Sequence, residues 1–152
     1  MRSAPPALGE GPSRALPSAF CVLPACWDTM LRGFRDLKVY QLAFKLAMDI
    51  FHLSKSFPEE ERYSLTSQIR RSSRSVAANI AEGFRKRQYP SMFVSKLADS
   101  DAEAAETQVW LDFAQNCGYL SQEREKQIVA GYEDVGKMID GMMQNPERFM
   151  PS

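Results

Sequence analysis

One stretch limits what this chain can become: residues 64–83, SLTSQIRRSSRSVAANIAEG. Leu65, Ile69, Ser73, Val76, Ile80 and, just beyond, Phe84 recur at steps of three and four, the period of a helix with one buried face. Small residues flank that seam at Ser72, Ala77, Ala81 and Gly83, and the opposite face carries Arg70, Arg71, Arg74 and then Arg85. A helix of this kind cannot bury its apolar stripe alone. It needs other helices against it, and its small residues let them come close.

Three more segments supply partners. Residues 36–56 carry Leu37, Tyr40, Phe44, Ala47, Ile50 or Phe51, and Ser54 on the helical period, with Asp36 as N-cap and Phe57-Pro58 as the stop. The second helix starts between Pro58 and Ser64 and runs to about Lys86. Glu59, Glu60 and Glu61 near its start and Arg85, Lys86 and Arg87 at its end match the helix dipole. The third runs from Pro90 to about Asn116, with Phe93, Leu97, Ser100, Ala104, Thr107 or Gln108, Leu111 and Ala114 as its seam and Gly118 just past its end. The fourth starts at the cap Ser121, uses Ile128, Tyr132, Val135, Ile139 and Met142, and stops near Asn145-Pro146. No segment alternates with period two, so no strand is expected. The pattern predicts an all-α fold, an antiparallel up-down-up-down four-helix bundle with helices roughly 30 Å long.

Residues 1–33 break the pattern. Pro5, Pro6, Pro12, Pro17 and Pro24 interrupt them and no period survives, so they are expected to be a disordered leader before a bundle domain at 34–152. A secretory signal is disfavoured: Arg2 is the only charge at its start, and Pro17 and Pro24 bracket the short apolar run 19–23. Leu23-Pro24-Ala25-Cys26 departs from a lipoprotein cleavage site by its proline. A mis-assigned start, with Met30 as the true first residue, is the other reading. No apolar run approaches the ~20 residues of a membrane span. Three cysteines, an odd and low number, make no disulfide framework and point to the cytoplasm.

Catalytic and metal chemistry find no support in the pattern. A di-metal bundle needs two Glu-x-x-His motifs, whereas this chain has one histidine, His52, in Asp49-x-x-His52. Cys21 and Cys26 lack a zinc spacing, and Cys117 has only His52 as a candidate base. No enzyme activity, cofactor or metal is therefore expected. Lys plus Arg and Asp plus Glu each number 19, which excludes a surface that is basic all over and leaves room for a local patch. The patch is Arg70, Arg71, Arg74, Arg85, Lys86 and Arg87; between Tyr63 and Ala98 the one acid is Glu82. RNA or DNA phosphates are one partner for it.

The competing reading spends those charges on pairs within the chain or across a subunit contact. A hairpin turning near Gln88 puts Arg70 level with Glu106 and Arg74 level with Glu103, leaving Arg71 and Arg85 freer. The product would be a protein-interaction scaffold that binds no nucleic acid. Trp110 and Phe113 share a stripe with Asp99, Glu103 and Glu106 beside the core seam, which predicts a subunit interface and a homo-oligomer.

These residues also carry a resemblance. Leu65-Thr66-Ser67-Gln68-Ile69-Arg70-Arg71, Ser75-Val76-Ala77-Ala78-Asn79-Ile80-Ala81-Glu82-Gly83, Glu106-Thr107-Gln108, Gly118-Tyr119-Leu120 and Asn145-Pro146-Glu147-Arg148-Phe149 resemble the small proteins encoded by intervening sequences of large-subunit ribosomal RNA genes. The resemblance spans about residues 34–149. It implies a four-helix bundle assembled as a homopentamer with no associated enzymatic activity. It implies a likeness to the accessory variability determinant protein of diversity-generating retroelements, which binds nucleic acid and a reverse transcriptase. That protein is strongly basic where this chain is neutral, and residues 99–103 here are more acidic than the usual pattern. Asn79 and Glu82 flank the seam, and structural roles are expected for Asn79, as a cross-helix hydrogen bonder, and for Gly83, as a point of close approach.

Overall fold

Ile69, Val76 and Ile80 have no exposed surface, and Phe84 has almost none; they lie on one side of a single helix, as their spacing requires. In this computed structural model, which describes residues 31–151, that helix is α2 (Leu65–Arg85), placed between α1 (Lys38–Leu53) and α3 (Pro90–Asn116) and followed by α4 (Gln122–Gln144). The expected leader lies outside the described residues as far as residue 30, and Cys21 and Cys26 lie there with it. Among the described residues there is no strand, and no helix is long and apolar enough to cross a membrane.

Each helix packs against its neighbours in the chain, and α1 also meets α4. Ser72 of α2 is hydrogen-bonded to Thr107 of α3, while Glu82, a turn from the end of α2, reaches Lys96 near the start of α3. The numbers run in opposite directions, so the pair is antiparallel. Arg70 bonded to Ser54 and Arg74 beside the Phe51 ring show the same for α1 and α2. The observed fold is the expected four-helix bundle.

The seams of α2, α3 and α4 are buried at the expected positions, Thr107 rather than Gln108 taking the inward place in α3. In α1 Ala47 and Ile50 are buried as expected, as are Leu37 and Ser54 beside the helix, but Val39, Ala43 and Leu46 complete the core face, while Tyr40 is half-buried and Phe44 is 52% exposed. Val39 and Ala43 stand one residue before Tyr40 and Phe44, or about 100° of rotation, and the smaller side chains took the interior.

The ends follow local chemistry. Asp36 does not cap α1; it closes a separate 3-10 turn (Phe34–Asp36), where its carboxylate accepts the Gly33 N–H, and Leu37 precedes the helix. Glu59–Glu61 likewise form their own 3-10 turn ahead of α2. Ser121 caps α4 by accepting the Arg124 N–H (3.2 Å). After α3, Gly118 takes φ +78°, and the Tyr119 N–H reaches back to the Ala114 carbonyl, a glycine-dependent stop.

Between α2 and α3 small residues bring the backbones together. The buried Ser100 hydroxyl donates to the Val76 carbonyl (2.8 Å), and a Cβ on Gly83 would lie 3.2 Å from Lys96 Cβ. Lys96 bonds to Asn79 Oδ1 (3.4 Å) and pairs with Glu82 (3.0 Å), giving Asn79 and Gly83 the structural roles expected of them. Its bond to Glu82 raises the Lys96 pKa, with burial opposing.

Candidate nucleic-acid interface

The site grows from the way α2 begins. Glu61 turns back over the first helical turn, accepting from the Ser64 hydroxyl and from the Leu65 N–H (3.2 Å), and its second oxygen accepts from Tyr119 (3.2 Å). The Ser64 bond, then the Leu65 bond, hold its carboxyl below the usual 4.5, against the effect of burial. Tyr119 is raised by burial first and by Glu61 second. Glu59 is occupied by Arg62, 2.7 Å away. Two of the three acids ahead of α2 are thus engaged locally.

Beyond them α2 turns its outer surface to solvent. Arg62, Tyr63, Thr66, Ser67, Arg70, Arg71 and Arg74 line an open hollow of about 390 Å³. Residues 67, 70, 71 and 74 share this side because three or four residues make one turn. Among the described residues, no carboxylate forms an ion pair with Arg70, Arg71 or Arg74.

That finding corrects the pairing expected from the sequence. The axial level holds, since Ser72 meets Thr107, but Arg70 and Arg74 point toward α1. Arg70 Nε donates to the buried Ser54 hydroxyl (2.7 Å), and its guanidinium lies 5.1 Å from the Phe51 ring centre; that of Arg74 lies 5.9 Å from the same ring. Glu106 accepts instead from the Trp110 indole N–H (3.1 Å), and Glu103 Oε2 is buried without a hydrogen-bond partner.

The six basic residues singled out in the sequence form two groups. Arg70, Arg71 and Arg74 share the hollow. Arg85, Lys86 and Arg87 stand at the other end of α2, about 17 Å from Arg74 by the helical rise. There Arg87 donates to the Phe84 carbonyl (2.8 Å) and covers the Phe84 ring at 3.9 Å, while Arg85 is exposed. Arg62 and Tyr63 were missed, because they precede the helix and fall outside its period.

A second hollow continues the first. Phe34, Tyr40, Phe44, Ala47 and Met48 form one wall, Ala77, Ala78 and Ala81 form the other, and Arg74 is common to both hollows. Its signal in the sequence was the second α1 stripe, which was assigned to the core. Trp110 and Phe113 lie on α3 with ring centres 5.9 Å apart, Trp110 half-buried and Phe113 54% exposed. No group of three His, Cys, Asp or Glu able to hold a metal ion occurs among the described residues. The chemistry on offer is anion binding beside apolar contact.

No functionally curated protein matches the chain. A solved structure of a protein with unknown function from the S23 ribosomal protein family of Bacteroides thetaiotaomicron VPI-5482 is similar. It shares 27% identity with a TM-score of 0.64, over 70% of this chain and 98% of that one. The family model described as 23S rRNA-intervening sequence protein matches residues 35–141. With most of the bundle inside that match, the chain belongs to the 23S rRNA-intervening sequence protein family.

Proposed function

We propose that this protein is a non-enzymatic, oligomeric bundle that binds nucleic acid through the outer face of α2. The observation that carries the reading is the convergence of Arg70, Arg71 and Arg74 on one open hollow with no carboxylate among the described residues to neutralise them. Guanidinium groups so placed match phosphate oxygens. Arg85 and Lys86 extend the basic track along the same helix. RNA and duplex DNA both offer such phosphates, and both serve as probes. A cytoplasmic location suits such a ligand, and the retroelement likeness makes a reverse transcriptase the protein partner to try.

The oligomer has its own support. The groove between α1 and α2 and the Trp110–Phe113 patch are apolar surfaces on different helices, and Arg74 at the rim of one complements Glu106 beside the other. Different surfaces meeting head to tail form a ring when their rotation closes, and the resemblance gives five as the number of copies. Light scattering on the purified protein tests this; a monomer at micromolar concentration overturns it.

Filter binding to RNA and duplex DNA across a salt series tests the nucleic-acid reading. Affinity should fall steeply with salt, the logarithmic slope being about −0.9 per duplex phosphate contacted. No binding even at low salt leaves the protein-interaction scaffold.

A further inference from the structure

We propose that the hollow at the start of α2 takes a single-stranded nucleotide, its phosphate held by Arg70, Arg71 and Arg74 and its base stacked on Tyr63. The inference rests on the nucleic-acid reading above and adds the strandedness of the ligand and the residue that selects it.

Tyr63 is the observation that sets this hollow apart. It is 87% exposed, against 55% for Tyr89 and 54% for Phe113, the next among the large apolar side chains. No packing in the bundle accounts for it. It stands in the turn before α2 and lines the same hollow as the arginines. The Arg62 guanidinium lies 5.6 Å from its ring centre and is itself held by Glu59 at 2.7 Å. A cation thus lies over one side of the ring, and the ring's exposure leaves a π-face to solvent.

An exposed aromatic face next to unpaired arginines is the pairing that single strands use. Every base has a π-face, so stacking tolerates any sequence, while the cations follow the backbone. In a duplex the bases are stacked on each other and closed to a surface tyrosine. Thr66 and Ser67 complete the hollow's wall between the ring and the arginines. The volume of about 390 Å³ falls at the lower end of the range that small ligands fill.

The test is fluorescence anisotropy with a labelled RNA of about 12 nucleotides, single-stranded and as a duplex, on the full chain and on Tyr63→Phe, Tyr63→Ala and Arg71→Ala. Circular dichroism confirms that each variant is folded. Tyr63→Ala should weaken single-strand binding roughly tenfold with an unchanged salt slope, since no charge is lost. Tyr63→Phe keeps the ring and should stay within about twofold of the parent. Arg71→Ala should flatten the salt slope by about one. Equal affinity for both strand forms, or a Tyr63→Ala protein that binds like the parent, overturns this inference while salt-dependent binding keeps the nucleic-acid reading. A poly-glutamate peptide bound as tightly as RNA also overturns it. Absence of all binding removes both.

Discussion

Toward α3, helix α2 presents Ser72, Val76 and Gly83 to a partner close enough for the Ser100 hydroxyl to reach the Val76 carbonyl. Toward α1 it presents Arg70, Arg74, Ala77, Ala78 and Ala81, and the space beside them stays open as a groove and a hollow. Both flanks are rich in small residues. The difference lies in what faces them. On α3 the hydroxyl-bearing Thr107 and Ser100 face Ser72 and Val76, and Lys96 and Phe93 fill the room that Gly83 leaves, so the backbones close up. On α1 Phe44 and Met48 stand with the small Ala47 along the groove, and Phe51 lies under Arg70 and Arg74. A small-residue stripe yields intimate packing where the partner's side chains fit the room it leaves.

The widest gap between the flanks should show in stability. Ser100→Leu forces a larger side chain into the closed flank and should cost about 3 kcal/mol in denaturant melts. Ala78→Leu, on the open flank, should stay within about 0.5 kcal/mol. Equal costs would erase the distinction.

A smaller effect sharpens the arginine side. Arg70→Ala removes a bond to the buried Ser54 hydroxyl and a contact with Phe51, and should cost about 1 kcal/mol. Arg74→Ala loses only the more distant ring contact, about 0.5 kcal/mol. Had both arginines paired with acids on α3, the two losses would match.

Arg71→Ala should leave stability within about 0.5 kcal/mol of the parent and be felt in RNA binding instead. A melt shifted as far as that of Arg70→Ala would show Arg71 to be a structural residue.

The least change is expected at Glu61, and it depends on pH. Its folded-state pKa lies below the ordinary 4.5, so its contribution is present above that value and is lost as pH falls through the lower, folded one. Melts of the parent and Glu61→Gln should therefore converge in acid and separate toward neutral pH. A constant separation would place the carboxylate's effect elsewhere.

Much of this was legible in the sequence, and the failures share a cause. Periodicity identified the buried faces of α2 and α4 because each has one apolar stripe, and that of α3 although Trp110 and Phe113 lie on a second one. In α1 two stripes carry comparable signals, and the aromatic one, with Tyr40 and Phe44, drew the assignment that belonged to Val39, Ala43 and Leu46. The hairpin level was readable from chain length and the turn near Gln88. The direction in which Arg70 and Arg74 lean was not, because it depends on Phe51 and Ser54 of another helix. Tyr63 carries no periodic signal at all; its exposure becomes visible only once the bundle around it is built.

Arg74 lines both hollows. A side chain common to two binding surfaces makes their occupancies thermodynamically linked. If a second copy in the groove draws the guanidinium toward itself or frees it, the affinity of the neighbouring hollow changes by some factor. The nucleotide must then change the strength of self-association by the same factor. Titrating RNA while following the size of the assembly would read that reciprocity from one residue.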